Sequence, residues 1–295
     1  MVGPTAAGKS ALAMTVAQQV GAEILSVDSA AIYRGMDVGT DKPTVEDRRR
    51  VPHHLLDLAD PDEATTVAQF QAAARTCVAE VLGRGRVPLL VGGSGLYFRA
   101  VVDPLEFPGT DAAVRARWEG EAARVGAEEL HRRLQELDPE AAARIDAANV
   151  RRTVRALEVI EITGRPFSSY RTAWDQRRAV YDLRAAGLTL PLDELDRRID
   201  RRVDLLIERG WVDEVARLRQ EGVRFSPTSL SALGYAQILD HLDGRLPLAQ
   251  AIAETKQRTR QFARRQLRWF RADPRITWFT DPDEAADYLR KAADG

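Results

Sequence analysis

The 295-residue sequence predicts an α/β fold, with a parallel sheet flanked by helices and interrupted by an all-helical insertion. Two observations predict the sheet. Short apolar runs alternate with helical patterns in residues 1–110, and strand and helix patterns return in residues 178–295. The third observation concerns residues 111–177, which contain no β-rich run and are dominated by Arg, Glu and Ala. We therefore expect a core domain formed by the two outer ranges and a helical insertion domain between them.

The first element is a glycine-rich loop with the spacing G-x-x-x-x-G-K-[ST], formed by Gly3, Pro4, Thr5, Ala6, Ala7, Gly8, Lys9 and Ser10. A helix-prone apolar stretch, 11–17, follows it and is stopped by Gly21. In such a P-loop the backbone N–H groups and the helix N-terminus hold phosphate oxygens, the lysine adds a positive charge and the hydroxyl is a ligand for Mg²⁺. The motif therefore predicts a P-loop NTPase-like core with a polyphosphate site, and Ser10 as the Mg²⁺ ligand.

The strand that normally precedes a P-loop is almost missing, because only Met1 and Val2 come before Gly3. Either this strand is very short or it begins upstream of the sequence. The remaining elements of the core are clear from their patterns. They are a strand over 22–27, a helix over 65–82, a strand over 87–91, a strand over 183–190, helices over 193–209 and 247–271, a strand over 276–279 and a C-terminal helix from residue 281.

Two strand ends carry the candidate chemistry. Asp28 follows the strand 22–27, and Gly92-Gly93-Ser94 follows the strand 87–91. The carboxyl ends of parallel strands meet at one edge, where ligands bind, so both should lie beside the P-loop. Asp28 can be a general base, but a helix N-cap or a Mg²⁺-bridging acid fits its position equally well. The second strand ends without the acidic residue that holds Mg²⁺ in P-loop ATPases, which argues against a standard ATPase or GTPase.

Composition limits the function classes. The net charge is −1, from 43 basic and 44 acidic residues, so nucleic-acid binding would depend on local clusters. No apolar run is long enough to span a membrane. The single Cys77 excludes an intramolecular disulfide, fits the cytoplasm and is expected to be a buried structural thiol. The pair His53-His54 lacks nearby ligands at suitable spacing, which disfavours a zinc site.

Two arginine-rich stretches are candidates for contact with a phosphate backbone. The insertion holds Arg151, Arg152 and Arg155, and the stretch 255–271 contains basic and aromatic residues but no acid. Its basic residues are Lys256, Arg258, Arg260, Arg264, Arg265, Arg268 and Arg271. In the helix 193–209, by contrast, arginines alternate with Asp196, Asp200 and Asp204. We expect these to be mostly surface pairs within that helix, worth ~0.3–0.5 kcal/mol each, with one or two arginines free to reach a diphosphate.

Taken together, several stretches resemble one family, the tRNA dimethylallyltransferases. The resemblance covers nearly the whole chain in the expected order, and the pair Val27-Asp28-Ser29 and Gly39-Thr40-Asp41-Lys42-Pro43 is its most specific part. The other matching stretches are 3–10, 32–38, 52–57, 91–97, 155–158, 234–235 and 259–266.

This resemblance implies transfer of a dimethylallyl group from dimethylallyl diphosphate to N6 of the adenosine immediately 3′ of the tRNA anticodon. It implies that the P-loop binds the prenyl diphosphate together with Mg²⁺, and that the insertion grips the anticodon stem-loop while the base is flipped into a channel. Asp28, Ser94 and Lys9 would be catalytic, and Arg198 and Arg202 would reach the diphosphate. The tRNA contacts implied are Asp28, Ser29, Ala30, Ala31, Arg115, Arg151, Arg152, Arg155, Gly234, Tyr235, Arg264 and Arg268.

Three other functions remain open at this point. One is a P-loop kinase acting on a small molecule, which the missing acid and the arginine clusters disfavour. Another is prenylation of a free adenine nucleotide, which the large helical insertion disfavours. The third is an RNA-binding protein that only senses nucleotide. The sequence departs from the family pattern at Ser231 and Ala236, where the family often has basic residues, so RNA contacts there should be weaker. We expect a cytoplasmic monomer.

Overall fold

The computed structural model describes residues 1–293, with the side chains of residues 172 and 173 excepted. The end of the predicted core range, residues 294–295, lies outside the described residues. The strands are β1 (Glu23–Ser26), β2 (His53–His54), β3 (Pro88–Val91), β4 (Ala185–Leu188) and β5 (Ile276–Phe279). The α-helices are α1 (Lys9–Val20), α2 (Val45–Arg50), α3 (Val67–Gly83), α4 (Gly95–Val102), α5 (Ala112–Val125), α6 (Ala127–Leu137), α7 (Pro139–Ala142), α8 (Val150–Thr163), α9 (Thr172–Gln176), α10 (Leu192–Glu208), α11 (Trp211–Gln220), α12 (Tyr235–Leu242), α13 (Leu248–Arg271) and α14 (Pro282–Ala293).

Val2 joins two groups of parallel strands. One group has the order β2-β1-β3, and the other pairs β4 with β5. Val2 forms parallel bridges to Gly92, just after β3, and to Gly187 in β4. Its N–H donates to the Ala186 carbonyl at 2.9 Å, and its carbonyl accepts from Leu188 at 3.0 Å. The predicted α/β class with a parallel sheet is therefore confirmed, and Met1-Val2, short as it is, occupies the position expected of the first strand.

Residues of the chain fall into two compact units. Of the described residues, unit 1 comprises 1–101 and 182–293, and unit 2 comprises 102–181. The core of unit 1 includes Leu12 and Val16 of α1, with β-strand residues such as Ile24 and Leu188. Unit 2 contains α5 to α9 and a short 3₁₀ helix, Phe167–Arg171, around a separate core that includes Leu130 and Leu157. The predicted insertion, 111–177, lies inside unit 2.

Local signals explain where several helices begin. Thr66 caps α3 by accepting the N–H of Gln69, whose side chain bonds back to Thr66, and Thr44 and Asp47 form the same capping box at α2. Cys77 of α3 is buried and not in a disulfide, as predicted. Among residues 1–293, no helix is long and apolar enough to cross a membrane.

The histidine pair forms β2, an element that the sequence did not predict. His53 and His54 pair in parallel with Ile24 and Leu25 of β1, and His54 Nε2 lies 2.6 Å from Glu23 Oε2. The part of the chain that the structure describes contains no group of three or more His, Cys, Asp or Glu side chains placed to hold a metal ion.

Candidate active site

Backbone geometry fixes the phosphate loop before α1. Gly3 has φ +142°, and a Cβ there would lie 2.3 Å from the Leu188 carbonyl oxygen of β4. Gly8 has φ +96° and is the N-cap of α1. Both conformations are unfavourable for residues with a side chain, so the two glycines of the motif are required by the path of the loop. The loop therefore lies against β4 and ends at the N-terminus of a 12-residue helix, where N–H groups can hold an anion.

Lys9 is buried at the start of α1, and its Nζ donates to the Pro4 carbonyl at 2.6 Å. Burial lowers the pKa of Lys9 to about 8, against the raising effect of Asp28, and the positive charge of Arg202 lowers it further. Three charged groups, Lys9, Asp28 and Arg202, therefore influence one another electrostatically. An anion bound here would favour the charged lysine.

A cavity of about 580 Å³ lies at this edge of the sheet, within unit 1. It brings together the P-loop, Asp28, Arg198 and Arg202, as the sequence predicted separately for each. Part of a loop between β1 and α2, Thr40–Thr44, also lines it, as do Arg209 and Gln266. Cationic groups and loop amides thus surround a space large enough for a small substrate.

Asp28 and Ser94 stand on adjacent strand ends, after β1 and β3. Asp28 Oδ1 accepts the Ala30 N–H at 2.8 Å and forms an Asx turn. This bond fixes the position of the carboxylate and does not use its second oxygen, Oδ2. Among the described residues no helix begins at Asp28, so the N-cap alternative is wrong. Ser94 Oγ accepts the Ser29 N–H at 3.0 Å and donates to Ser29 Oγ at 3.2 Å. Ser94 therefore holds the turn that carries Asp28, in addition to any substrate contact.

Close packing explains why β3 ends without an acidic residue. A Cβ at Gly92 would lie 2.2 Å from the Val27 carbonyl oxygen, and one at Gly93 would lie 2.1 Å from Gln266 Nε2. A side chain at Gly92 would overlap the Val27 backbone at the end of β1, and one at Gly93 would displace the Gln266 amide. The buried Gln266 also accepts the Thr5 N–H at 2.9 Å and donates to the Gly93 carbonyl at 2.9 Å, so it ties the P-loop to this edge.

The two arginines predicted to reach a diphosphate are held by carboxylates. Arg198 Nε donates to Glu194 at 2.8 Å, and Arg198 Nη1 lies 4.0 Å from the place where a Gly8 Cβ would stand. Arg202 Nε donates to Asp41 Oδ2 at 3.0 Å, and Arg209 also bonds Asp41, at 3.3 Å.

Three acids of α10 that were expected to pair within that helix pair with α13 instead, whereas Asp193 and Glu194 do pair with arginines of α10. Asp196, Asp200 and Asp204 bind Arg264, Arg260 and Lys256 of α13. The stretch 255–271 looked free of compensating acids because its partners lie on another helix. Arg264 is therefore ion-paired, whereas Arg268 is exposed and has no partner among residues 1–293.

The loop between β1 and α2 resembles the family over residues 32–43, but the sequence predicted no function for Asp37, Lys42 or their neighbours. Buried Glu214 of α11 accepts the N–H groups of Asp37, Val38 and Gly39 at 2.7, 2.6 and 3.2 Å. Lys42 Nζ donates to Asp57 at 2.6 Å and to the Tyr33 carbonyl at 2.5 Å. The sequence signal for Lys42 was the Gly-Thr-x-Lys-Pro pattern, but nothing distinguished Glu214 from an exposed acid of an amphipathic helix.

Gly234 and Tyr235 support this loop as well. The Tyr235 ring is fully buried beside Trp211, and its hydroxyl donates to Glu214 at 2.7 Å. Burial, together with Glu214, raises the pKa of Tyr235. A Cβ at Gly234 would lie 2.0 Å from the Trp211 ring. The Tyr235 side chain is therefore inaccessible in this conformation, and a tRNA contact at Gly234 and Tyr235 stays a prediction.

In unit 2 the predicted RNA-binding arginines differ from one another. Arg115 and Arg155 both bond the buried Glu158, at 2.7 and 2.9 Å. Burial alone would raise the pKa of Glu158, but these two hydrogen bonds hold it below its usual value. Arg151 and Arg152 lie in the first turn of α8, and their exposed guanidinium groups have no partner among the described residues. Of the remaining predicted contacts, Ser29 is exposed, Ala30 is partly exposed, and Ala31 is buried against the cavity.

The fold and the cavity define a P-loop protein with a cavity beside the loop at the edge of a parallel sheet, and without the second-strand acid of ATPases. Comparison with known proteins gives the family. The family described as IPP transferase matches residues 31–273, and the one described as isopentenyl transferase matches residues 1–60. The chain belongs to the IPP transferase family.

Relatives agree over nearly the full length. A tRNA dimethylallyltransferase of Parafrankia sp. (strain EAN1pec) is 52% identical over 287 residues, covering 97% of this chain and 88% of that protein. The crystal structure of a full-length tRNA isopentenylpyrophosphate transferase from Bacillus halodurans is 40% identical, with a TM-score of 0.71, and the match covers 100% of this chain and 94% of that one. A eukaryotic dimethylallyltransferase described as acting on tRNA is 23% identical, with a TM-score of 0.80 and coverage of 99% and 76%, which shows a shared fold.

Proposed function

We propose that the protein transfers the dimethylallyl group from dimethylallyl diphosphate to N6 of the adenosine immediately 3′ of the anticodon in tRNA. The observation that carries this proposal is the placement of Asp28 on the cavity that the P-loop, Arg198 and Arg202 also line. The relatives named as tRNA dimethylallyltransferases support the choice of both substrates. A cytoplasmic location follows from the tRNA substrate as part of the same proposal.

The reaction assigns one task to each part of the cavity. N6 of adenine attacks the carbon that bears the diphosphate, the C–O bond breaks, and diphosphate leaves with the electron pair. The exocyclic amine is a weak nucleophile, so Asp28 accepts its proton as the new N–C bond forms. The P-loop N–H groups, Lys9 and the two arginines stabilise the charge that develops on the leaving diphosphate. Ser94 keeps the turn that carries Asp28 in place.

The residues present fit a Mg²⁺ ion that is held mainly by the substrate. Ser10 is exposed at the start of α1, so its hydroxyl is available as a ligand, and Asp28 is an acid of the same cavity lining. Mg²⁺ commonly takes one or two protein ligands and completes its shell with phosphate oxygens and water. When bound, the ion would neutralise charge on the leaving diphosphate.

The decisive experiment is a transfer assay with labelled dimethylallyl diphosphate and Mg²⁺. Unmodified tRNA, free AMP, and ATP with tRNA are supplied in parallel. We expect label in tRNA only. Label in AMP would support prenylation of free nucleotides, and turnover of ATP without transfer would support a kinase-like activity; either result contradicts the proposal.

Asp28→Asn tests the role of the base. Asparagine keeps the Oδ1 atom that accepts the Ala30 N–H, so the turn should survive while the proton acceptor is lost. We expect transfer to fall by about 10²–10⁴-fold, the usual contribution of a general base. Binding of inorganic diphosphate, measured by calorimetry, should be retained. A variant that transfers at the normal rate would remove Asp28 from this role.

A further inference from the structure

The two arginines that line the cavity beside the phosphate loop each donate to a carboxylate through the Nε atom. Glu194 accepts from Arg198 Nε, and Asp41 accepts from Arg202 Nε. A guanidinium has five N–H donors, so a carboxylate at Nε leaves the terminal Nη groups available. Among the described residues, the Nη groups of Arg202 have no protein acceptor. A bidentate contact from these groups to a phosphate remains open.

Arg202 lies in the cavity that contains the phosphate loop. Its charge is close enough to lower the pKa of Lys9. Its side chain is 26% exposed, so it is neither sealed in the core nor free in solvent. An arginine in this setting has many rotamers unless something fixes it, and Asp41 is the side chain that does so.

Asp41 is itself held in an unusual backbone conformation. Its φ is +55°, in the left-handed region that Asp and Asn adopt more readily than other non-glycine residues. Glu214 holds the three N–H groups of residues 37–39, and Lys42, whose side chain is 1% exposed, holds the next turn through Asp37 and Asp57. Two buried charged groups therefore fix the loop on either side of Asp41.

We propose that Asp41 is a positioning residue for the diphosphate site, which acts by holding Arg202 through Nε so that its Nη groups meet a phosphate. The identity of that phosphate, the leaving diphosphate of the prenyl donor, rests on the proposed function. If Asp41 instead blocked Arg202, its removal would have the opposite effect on phosphate affinity. If Asp41 merely occupied Arg202 until substrate displaced it, removal of its negative charge would tighten phosphate binding.

Asp41→Asn separates these roles with little risk to the fold. Asparagine accepts the same backbone conformation, and the Asp41 side chain is 40% exposed. We expect the dissociation constant of inorganic diphosphate, measured by calorimetry on the full chain, to rise about tenfold, equivalent to about 1.4 kcal/mol. Asp193→Asn is the matched control, since Asp193 pairs with the exposed Arg197 of the same helix as Arg202. The affinity of the Asp193→Asn variant for inorganic diphosphate should stay unchanged. Unchanged or tighter binding by Asp41→Asn overturns the proposal.

A double-mutant cycle shows whether Asp41 acts through Arg202. Arg202→Lys keeps the charge but removes Nε and the fork. In that background Asp41→Asn should weaken binding less than about twofold, because the interaction it supports is already gone. Effects that multiply instead would contradict action through Arg202.

The kinetics make a failure here distinguishable from a failure of the proposed function. In the transfer assay, Asp41→Asn should raise KM for dimethylallyl diphosphate and leave KM for tRNA unchanged. If the unmodified protein transfers no prenyl group but Asp41→Asn still weakens diphosphate binding, the proposed function fails and the role of Asp41 stands. If transfer is normal and the cycle shows no coupling between Asp41 and Arg202, the role of Asp41 fails and the proposed function stands.

Discussion

The cavity of unit 1 beside the P-loop and the arginine cluster of unit 2 (Arg115, Arg151, Arg152 and Arg155) are held together by different kinds of contact. Around the P-loop, buried contacts join residues far apart in sequence, such as Gln266 to Thr5 and Gly93. In unit 2, a single buried carboxylate, Glu158, holds Arg115 and Arg155. A motif that fixes backbone geometry therefore predicts how a loop is built, whereas a cluster of like charges predicts only where charge is concentrated.

The same difference divides the arginines that were predicted to contact RNA. Arg115, Arg155 and Arg264 are already bound to carboxylates, so part of their charge is compensated within the protein. The guanidinium groups of Arg151, Arg152 and Arg268 are exposed and, in the described part of the chain, without a partner. Counting basic residues along the sequence thus overestimates the cations available to a nucleic acid.

Gly3→Ala should produce the largest effect and should be confined to unit 1. A Cβ at this position meets the Leu188 carbonyl oxygen at 2.3 Å, so the loop must move. A displacement of about 1 Å can lower activity on the order of 100-fold, and we expect a loss of that size in diphosphate affinity and transfer. Gly83→Ala is the control, because a Cβ there has no neighbour within 4 Å. Equal effects of the two substitutions would show that the loop is not the sensitive feature.

Glu158→Gln should destabilise unit 2 and leave the cavity of unit 1 unaffected. Removal of the carboxylate leaves Arg115 and Arg155 without their shared partner. We expect a loss of about 2 kcal/mol in the stability of this unit, because hydrogen bonds to a buried charged group are weakened. Hydrogen exchange of the α8 amides measures this local stability. Diphosphate binding should not change, and a loss of binding would contradict the separation drawn between the two regions.

The pH dependence of this effect has a defined sign. The pKa of Glu158 is held below its usual value in the folded protein, so its contribution to stability is present above the unfolded-state pKa. This contribution is lost as pH falls through the folded-state pKa. The difference between Glu158→Gln and the unmodified protein should therefore shrink as the solution is acidified, whereas a constant difference would point to packing alone.

The elements and residues that could be predicted share a local signal. Strand and helix alternation placed β1, β3, β4 and β5, and turn geometry placed the P-loop. What the sequence could not reveal depends on partners distant along the chain. Gln266 and Glu214 became recognisable only when folding brought them to backbone N–H groups of other segments. The two-residue β2 was missed because its pairing with β1, rather than any pattern of its own, makes it a strand.

Arg151→Ala combined with Arg152→Ala tests whether the free arginines of unit 2 are the ones that bind tRNA. We expect affinity for tRNA to fall about tenfold at moderate salt. The slope of log affinity against log salt should decrease by about 0.7–0.9 for each phosphate contact that is lost. Arg144→Ala, which removes an arginine of unit 2 already paired with Glu140, should change neither quantity. An unchanged slope in the double variant would assign the RNA contacts elsewhere.

The smallest expected effect concerns Lys9 and the charges around it. Because burial lowers the pKa of Lys9 to about 8, the free protein loses this charge as pH rises through that value. Affinity for diphosphate should fall about fourfold between pH 7 and pH 8.5, in proportion to the charged fraction of a group with this pKa. The ligand also titrates, so the informative quantity is the difference between two variants measured with the same ligand. Asp28 opposes the lowering of the Lys9 pKa. In Asp28→Asn the decline in affinity should therefore begin at lower pH than in the unmodified protein. Coincident pH profiles would mean that Asp28 and Lys9 are not electrostatically coupled, and that the cavity does not act as one charged site.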